Sequence, residues 1–576
     1  MRLGAKLKII ITLYVLMSVW ACALPQGIET IVRKSGIEKK DISIYIKEVG
    51  HDGEILASHN ATTSRKPASV IKVLTTYASL LKLGFDYRLF TKFYTTGSLQ
   101  NGILNGDLIV KGYGDPTLRS SDLKSIVKKI KAQGIHEIRG NIFIDRSYFK
   151  VGTTNSSHFD ENPYSPYNAM PDAMMFDERI STICVTPNHN NVSKKNPDGS
   201  YKILNKLQPV NKPCRGRYSW PGIKINEHSS TPTVLLQGKI SNRCGLRNIC
   251  KVVTKPYKSF YYALKDKLQK EGVPVRGTLR LRKVPSNAKQ LFTYYSKPLE
   301  QIVSKTAKKS NNLYARHLLL FLGAKTYGAP ATLNKGRKAI QSILTAKGAF
   351  HGGKLIIDNG SGLSRSSRLS AKILADMFDN AYENYGQRWM NTLSIAGVDG
   401  TIKKRFRSTV VKNRAWMKTG TLKRVKNIGG YVKSKEGKLY TVVILVETNK
   451  GRWKASALQN NIMKWLVTHK KTKNQLPIKE NVETTPNQNS RIITTNMVYN
   501  SSREVVQKYY VQVDSFSNQP DKSYLLRLEH LGLPYRVRHI DTYKVLVGAF
   551  STREDVQKAL QVVRKNINKS AFIIRL

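Results

Sequence analysis

Three short polar motifs in this chain of 576 residues could together perform nucleophilic catalysis. The first is Ser69-Val70-Ile71-Lys72, which follows a Pro-Ala turn and opens a strongly apolar stretch that predicts a buried helix. Residues i and i+3 of a helix share one face, so the Lys72 amine would lie beside the Ser69 hydroxyl. A neutral lysine can take the proton that a serine hydroxyl must lose before it attacks a carbonyl. Burial and a neighbouring cation would have to lower the pKa of Lys72 from about 10.4 to near neutrality.

Spacing alone does not single out Ser69, because other serines also have a lysine three positions later. Ser69 differs in its position at the start of an apolar helix, where backbone N–H groups can stabilise an oxyanion. The other serines with this spacing are Ser79, Ser121, Ser125, Ser147 and Ser286.

Two further motifs follow in order along the chain. Ser310-Asn311-Asn312 precedes an apolar helix, and Lys418-Thr419-Gly420-Thr421 precedes a pair of predicted strands. Each has an ordinary structural explanation on its own, since Ser310 could cap a helix and Thr419-Gly420 could form a turn. The order of all three motifs favours a catalytic site over separate caps and turns.

The order S-x-x-K, S-x-N, K-T-G resembles that of the penicillin-recognising serine enzymes. Ser310 lies 241 positions after Ser69, a far longer gap than in β-lactamases and most small carboxypeptidases. A long insertion there is similar to the class C low-molecular-mass penicillin-binding proteins, which are D-alanyl-D-alanine carboxypeptidases and endopeptidases. The resemblance covers roughly residues 25–470, and further matching stretches are Gly114-Asp115-Pro116-Thr117-Leu118, residues 358–365 (DNGSGLSR) and Gly397-Val398-Asp399-Gly400-Thr401.

This resemblance implies a mechanism without metal or cofactor. Ser69 would attack the carbonyl between two D-alanines, or between D-alanine and a cross-linking amine, and water would release the acyl-enzyme. β-Lactams would acylate the same serine. By the same resemblance the N–H groups of Ser69 and Thr421 form the oxyanion hole, Ser310 relays the proton to the leaving amine, Asn312 holds the substrate amide, and Lys418 with Thr419 attracts the substrate carboxylate.

The resemblance also implies a pocket for the free end of a diaminopimelate side chain. Asp145 and Arg365 would bind its ammonium and carboxylate groups, and Phe149, Leu422 and Lys423 would line the pocket. Lys423 departs from the uncharged residue that the family pattern leads us to expect, which leaves the preferred peptide side chain open.

The N-terminus predicts a secretory signal. A basic start is followed by the apolar run Ile9–Val19 and by Ala21-Cys22-Ala23, a small-x-small cleavage site. The apolar run is too short to favour a membrane span. Lipid attachment at Cys22 is an alternative, although Trp20 fits poorly in the small-residue pattern that it needs. We therefore expect a periplasmic protein, in which disulfides can form.

Four cysteines follow Cys22 and lie within one stretch of 67 residues. Their even number and clustering predict two disulfides, with three possible connectivities. A zinc site is the competing interpretation, but no C-x-x-C pair is present, and His189 and His228 lack ligand-like spacing. The disulfide candidates are Cys184, Cys214, Cys244 and Cys250.

The formal charge of +58 favours a polyanionic partner. An exported protein seldom meets nucleic acid, so an anionic wall polymer or peripheral contact with a membrane surface fits better. A general lysine bias with a solvated surface explains the charge equally well, because the lysines are spread along the whole chain.

The apolar patterns predict a mixed α/β (α+β) fold. The patterns predict a hairpin at 41–58, helices near 299–303, 313–322, 369–382 and 456–468, and paired strands at 429–432 and 440–446. The family resemblance implies that these elements form a transpeptidase-like sandwich. We expect a signal peptide at 1–23, this sandwich at 24–95 and 291–470, inserted and mainly β subdomains at 96–290, a flexible polar linker at 471–507, and a separate unit at 508–576.

The last unit has a βαββαβ order of predicted elements. The strands at 510–516 (YVQVDSF) and 543–550 (YKVLVGAF) resemble those of a SPOR domain, which binds peptidoglycan glycan strands that lack stem peptides, as at a division site. Gln512, Ser515, Tyr543 and Lys544 are candidates for sugar contacts on the open sheet face. RNA-binding sheets share this strand order, but export argues against them.

The leading hypothesis is therefore a hydrolase that acts on peptidoglycan stem peptides and is held to denuded glycan by its C-terminal unit. A wall-binding scaffold with an inactive enzyme fold and a β-lactamase are the alternatives.

Overall fold

The computed structural model describes residues 24–50, 53–152, 154, 156–157, 159–227, 230–470, 509–516, 520–529, 531, 533, 535–539, 543–550 and 552–575. The predicted signal peptide, the hairpin turn residues 51–52, His228 and the predicted linker at 471–507 lie outside these residues. The chain divides into two compact units, Met1–Asn481 and Val482–Leu576.

The helices and strands are numbered in chain order. The α-helices are α1 (Gln26–Ser35), α2 (Lys72–Leu83), α3 (Leu123–Lys131), α4 (Pro256–Lys270), α5 (Leu299–Lys308), α6 (Asn312–Tyr327), α7 (Leu333–Ala346), α8 (Ala371–Met390), α9 (Arg452–Thr468), α10 (Lys522–Glu529) and α11 (Arg553–Asn566). The strands of the first unit are β1 (Ile42–Glu48), β2 (Ile55–His59), β3 (Arg88–Thr95), β4 (Ser98–Gln100), β5 (Ile103–Asn105), β6 (Leu108–Gly112), β7 (Glu137–Ile138), β8 (Ile142–Asp145), β9 (Ser181–Thr186), β10 (Asn191–Lys194), β11 (Lys202–Val210), β12 (Gly222–Asn226), β13 (Thr233–Ser241), β14 (Arg247–Lys251), β15 (Leu279–Leu281), β16 (Lys289–Pro298), β17 (Ser394–Ile395), β18 (Ala415–Leu422), β19 (Val425–Lys433) and β20 (Leu439–Glu447). Those of the second unit are β21 (Tyr509–Phe516), β22 (Tyr535–His539), β23 (Tyr543–Phe550) and β24 (Phe572–Arg575).

A six-stranded antiparallel sheet of order β17-β18-β19-β20-β1-β2 forms the centre of the first unit. Helices α1 and α9 cover one face, and α2 with α5 to α8 cover the other. In β20, Val442, Ile444 and Val446 face the first layer, whereas Val443 and Leu445 face the second. This strand is therefore a continuous apolar run instead of an alternating one. The predicted hairpin, paired strands and sandwich are confirmed.

Helix α6 runs through the thicker layer and is buried on almost every side. Residues Leu313 to Ala324 are all buried, as expected of a helix that is apolar all round. Asn311 caps it by accepting a hydrogen bond from the N–H of Tyr314. The cap fixes the position of the S-x-N motif at the end of a rigid element.

The inserted region contains more helix than the sequence led us to expect. A five-stranded sheet of order β15-β8-β6-β3-β16 carries α3 and α4 on one face, and the prediction of mainly β subdomains missed both helices. The sheet also begins at Arg88, ahead of the predicted boundary at 96. In α3, Leu123, Ile126, Val127 and Ile130 follow the helical period, and three of the four positions between them are lysines.

The prediction of two disulfides is wrong for these residues. Cys214 and Cys244 form a bridge with their Cα atoms 5.2 Å apart, whereas Cys184 and Cys250 remain thiols. On the paired strands β9 and β14, Cys184 lies opposite Asn248, two residues from Cys250. Such diagonal neighbours lie about 7–8 Å apart, beyond the usual Cα separation in a disulfide.

The second unit is a four-stranded antiparallel sheet of order β22-β23-β21-β24. Its core joins Val511 and Val513 of β21 to Val545 and Val547 of β23 and to the apolar face of α11. The predicted βαββαβ order is confirmed. Among the described residues of the whole chain, no helix is both long and apolar enough to cross a membrane.

Candidate active site

The fold brings the three motifs together at one edge of the central sheet. A 3-10 turn, Ala68–Ile71, carries Ser69 and leads directly into α2, which begins at Lys72. The sequence predicted Ser69 inside the first turn of the helix, but the α-helical pattern starts three residues later. Strand β18 packs against this turn and carries Lys418, and Ser310 stands immediately before α6.

Lys72 is fully buried and makes three polar contacts. Its Nζ lies 2.8 Å from Ser69 Oγ and 2.7 Å from Asn312 Oδ1, and it also contacts the carbonyl oxygen of Ser361. Burial lowers the pKa of Lys72 well below its ordinary value, and the nearby cations Lys418 and Arg316 lower it further. A neutral amine has two N–H donors and one lone pair. It can therefore donate to Asn312 and Ser361 while accepting the proton of Ser69.

Lys418 is the second buried lysine of the site. Its Nζ donates to Ser310 Oγ at 3.0 Å and to the carbonyl of Thr419 at 2.7 Å. Burial lowers the pKa of Lys418 to about 7. Burial lowers the pKa of both lysines, and the cations Lys418 and Arg316 lower that of Lys72 further.

Backbone atoms lie close together around Ser69, and the conformations of Ala68 and Gly420 make this packing possible. Ala68 has φ of +49°, a conformation that costs an L-residue about 1–2 kcal/mol. A Cβ on Gly420 would lie 2.8 Å from the carbonyl of Pro67 and 2.9 Å from the N of Ser69. Gly420 therefore lets β18, and with it Thr421, lie directly against the turn that carries Ser69.

Asn427 was not predicted from the sequence, yet it holds the same turn in place. This buried residue of β19 donates to the carbonyls of Lys66 and Pro67, both at 2.9 Å. Its Oδ1 accepts from the N–H of Val446 on β20. The central sheet thus fixes the segment that precedes Ser69.

Thr401 adds a second hydroxyl beside the K-T-G motif. Its Oγ1 lies 2.8 Å from Thr419 Oγ1 on an exposed part of the surface. The turn that carries it is held by Asp399, which pairs with Lys308 at 2.6 Å. The stretch 397–401 contributed to the family resemblance, but nothing in its sequence indicated a neighbour of Thr419.

A cavity of about 820 Å³ opens beside Thr421 and contains part of the predicted side-chain pocket. Three residues that were predicted to share a pocket line this cavity: Arg365, Leu422 and Lys423. Its remaining lining residues are Lys66, Phe159, Asp160, Leu363, Thr421, Arg424, Val425 and Arg452.

Asp145 and Phe149 do not line this cavity. The Asp145 carboxylate is buried at the end of β8, where Lys111 lies 3.3 Å away and the N–H of Val284 donates to it. Phe149 packs against His317 in the core. Phe159 and Asp160 occupy the corresponding place instead: the guanidinium of Arg365 donates to the Phe159 carbonyl and lies over its ring.

The segment 159–170 crosses the mouth of the site. The Nδ2 of Asn312 donates to the carbonyl of Tyr167 at 3.0 Å, and Arg316 donates to the carbonyl of Ala169 at 2.6 Å. Asp160 accepts from the hydroxyl of Tyr167 and from Asn168. Helix α6 therefore positions this segment, which was not singled out in the sequence.

In the second unit, three of the four predicted sugar-binding residues share one sheet face. Ser515 lies opposite Lys544, and Gln512 lies on the same face of β21, since a bulge separates it from Ser515. Tyr543 follows the alternation of Val545 and Val547, which places it on the helix-covered face. Arg536 and Arg538 of β22 lie opposite Leu546 and Lys544, so the shared face is basic.

Comparison with known proteins agrees with this arrangement. Residues 24–469 match the sequence model of the D-Ala-D-Ala carboxypeptidase 3 (S13) family, and residues 506–575 match that of the SPOR domain. The chain is 28% identical over 417 residues to the D-alanyl-D-alanine carboxypeptidase DacB of Haemophilus influenzae, an alignment that covers 69% of this chain and 84% of that protein.

Two solved structures of one protein are also similar to this chain. The crystal structure of penicillin binding protein 4 (dacB) from Haemophilus influenzae has a TM-score of 0.66 and 25% identity, covering 77% of this chain and 99% of that one. A second structure of that protein, in complex with a β-lactam, has a TM-score of 0.63 and 24% identity, covering 77% and 100% of the two chains.

Proposed function

The chain belongs to the D-Ala-D-Ala carboxypeptidase 3 (S13) family and carries a SPOR domain, and we propose that it cleaves D-alanyl bonds of peptidoglycan through an acyl-enzyme on Ser69. It is a serine peptidase of that family, and its relatives are named D-alanyl-D-alanine carboxypeptidases. The observation that carries the proposal is the buried Lys72 amine, 2.8 Å from Ser69 Oγ.

Acylation begins when the neutral Lys72 takes the hydroxyl proton of Ser69. The Oγ then bonds to the carbonyl carbon of the substrate, and the negative charge moves to the carbonyl oxygen. The backbone N–H groups of Ser69 and Thr421 stabilise that oxyanion, which is why the close approach of β18 matters. When the C–N bond breaks, the leaving amine needs a proton. Ser310 relays to it the proton that Lys72 took from Ser69.

Deacylation repeats these steps with water as the nucleophile. Lys72 accepts a proton from water, the hydroxide attacks the ester carbonyl, and the proton returns to Ser69 Oγ. The peptide leaves with a new C-terminal carboxylate, and the free serine is restored. Both carboxypeptidase and endopeptidase reactions follow this course, since they differ only in the amine that departs.

The leaving group carries a carboxylate in either reaction, and the K-T-G side of the site is built to receive it. Protonated Lys418 supplies charge, and the hydroxyl of Thr419 supplies a hydrogen bond. Asn312 holds the amide of the acyl part through Nδ2, and this requires the substrate to replace the Tyr167 carbonyl that now accepts from it.

The cavity beside Thr421 receives the side chain of the third stem residue. Lys66, Arg365, Lys423, Arg424 and Arg452 contribute five cations to its lining, against the single carboxylate of Asp160. Asp160 is already hydrogen-bonded by Tyr167 and Asn168. The pocket therefore favours a side chain that ends in a carboxylate, as diaminopimelate does, over one that ends in an amine alone.

The C-terminal unit holds the enzyme on glycan strands that lack stem peptides, and so places it in the periplasm at sites such as the division septum. The basic open face that Lys544 shares with Arg536 and Arg538 supports this role. β-Lactams inhibit the enzyme by acylating Ser69, as suits a relative of a protein solved with a bound β-lactam.

Digestion of purified muropeptides tests the proposal. Incubation of wild-type protein with pentapeptide monomers and cross-linked dimers should remove terminal D-alanine, cleave the cross-link, or do both. Ser69→Ala should leave both substrates intact, whereas Ser79→Ala, which alters a serine of the same S-x-x-K spacing, should retain activity if it folds normally. Unchanged muropeptides with the folded wild-type protein would refute the proposal and favour a non-catalytic scaffold.

A further inference from the structure

A disulfide-bridged tip projects from the inserted region and consists of residues 211–220 and 241–247. Cys214–Cys244 joins its two segments, and Arg247 reinforces the joint by donating to the Ser219 carbonyl at 3.0 Å. Arg243 donates to Asn211 across the same gap. These contacts give the tip a fixed shape although it lies beyond the ends of β11 and β13.

The tip is strongly basic. Residues 199–226 and 230–265, which contain its strands and both of its segments, include no aspartate or glutamate. Most of its cationic side chains are exposed, so their charge adds up at the surface. The cations of the tip are Lys212, Arg215, Arg217, Arg243 and Arg247.

The same tip exposes large apolar side chains. Trp220 is 56% exposed and Leu246 is 55% exposed, and the guanidinium of Arg247 lies 5.3 Å from the centre of the Trp220 ring. An exposed tryptophan and leucine among arginines, in stretches of sequence that lack acidic residues, form the composition that binds at the interface of an anionic membrane.

We propose that this tip docks on the surface of an anionic phospholipid membrane, with Trp220 and Leu246 at the level of the headgroups. The cations attract the surface through its negative potential, and each basic side chain near it adds to the affinity. Purely polar polyanions, such as a soluble wall polymer, would use the charges but would leave the apolar pair in water. The apolar pair therefore favours the membrane as the partner.

Vesicle co-sedimentation tests this docking with the chain from Leu24 to Leu576, because the apolar run at 9–19 would itself enter lipid. Vesicles of phosphatidylglycerol and phosphatidylcholine in equal parts should bind the protein, and pure phosphatidylcholine should not. Trp220→Ala/Leu246→Ala should weaken binding by about tenfold or more through loss of apolar burial. Arg215→Gln/Arg217→Gln should weaken it by a similar factor through loss of two charges.

Two control variants separate the tip from general surface effects. Trp453→Ala removes a tryptophan that is 70% exposed elsewhere, and Lys403→Gln/Lys404→Gln removes two exposed cations elsewhere. Both should bind vesicles as the wild type does, and thermal unfolding should show that all variants fold. Equal weakening by the control variants would overturn the proposal. So would binding that survives Trp220→Ala/Leu246→Ala, or a protein that binds dextran sulfate but not the anionic vesicles.

Discussion

Two buried lysines lie in one site, and their pKa values are lowered by partly different causes. Lys72 lies within hydrogen-bonding distance of Ser69, and burial and two neighbouring cations lower its pKa, whereas the pKa of Lys418 is lowered by its own burial. The proposed mechanism needs a neutral Lys72, and the pKa of that amine is lowered well below its ordinary value. It also needs a protonated Lys418, whose pKa burial lowers to about 7.

The pH dependence of acylation follows from these directions. Because acylation needs neutral Lys72, kcat/KM should rise as pH rises through the pKa of that amine. It should fall as pH rises through about 7, where Lys418 loses the proton that attracts the substrate carboxylate. In the profile of kcat the alkaline limb should move to higher pH, because bound carboxylate favours protonated Lys418. A rate that climbs steadily to pH 10 would contradict a charged Lys418.

Thr401 should position the hydroxyl of Thr419. The two oxygens are 2.8 Å apart, so removing the Thr401 hydroxyl leaves Thr419 free to turn away from the substrate. For Thr401→Val we expect KM for a D-Ala-D-Ala peptide to rise by up to about tenfold with little change in kcat. Thr401→Ser should restore the wild-type KM. Equal loss of kcat in both variants would instead indicate a purely structural role.

Residues in short motifs could be predicted from the sequence. Residues that lie far apart in the chain and meet only in the folded protein could not. Lys72 lies one helical turn from Ser69, so spacing alone implied their contact. Asp160 lines the same cavity as Arg365 although it lies about 200 positions earlier in the chain. No local sequence pattern connects the two residues. Matching by motif placed Asp145 in that pocket, but Lys111 and the N–H of Val284 hold it elsewhere.

At the scale of elements, the central sheet sets the position of the turn that carries Ser69. Strand β18 lies against the turn, and β19 donates to it through Asn427, so neither strand can shift without moving the reacting groups. Apolar runs made these strands predictable. Helices α3 and α4 were missed because the surrounding region is rich in Gly, Pro and short strands, although the apolar residues of α3 follow the helical period.

Gly420→Ala should impair the site by pushing β18 away from the turn. Its Cβ would meet backbone atoms of Pro67 and Ser69 at less than 3 Å, and backbone cannot yield as a flexible side chain does. A displacement of about 1 Å costs about a hundredfold in rate, so we expect acylation by penicillin to slow by that order. Gly245→Ala is the matched control, since its Cβ meets nothing within 4 Å. Normal acylation in Gly420→Ala would refute the close approach.

At the scale of the molecule, the S13 family region and the SPOR domain belong to two compact units, each with its own hydrophobic core. The predicted order of elements in the second unit follows from period-two strands and one strongly amphipathic helix, α11. The set of side chains on its open sheet face did not follow from the sequence, because the bulge in β21 changes which residues share a face.

Deletion of residues 508–576 should separate the two activities. The truncated protein should label with fluorescent penicillin at the wild-type rate, because no part of the site around Ser69 comes from the second unit among the described residues. It should lose retention on sacculi treated with an amidase, which strips stem peptides from glycan. Undiminished retention would show that the C-terminal unit is not the wall-binding module.

Mass spectrometry of the protein after incubation with benzylpenicillin tests most directly whether Lys72 activates Ser69. Wild-type protein should carry a single covalent adduct on the peptide that contains Ser69, slow to hydrolyse, and this adduct should be absent from both Ser69→Ala and Lys72→Ala. The Lys72 variant is informative because it keeps the nucleophile and removes only the base. An adduct on another residue, or full acylation of Lys72→Ala, would contradict the central claim that Lys72 activates Ser69.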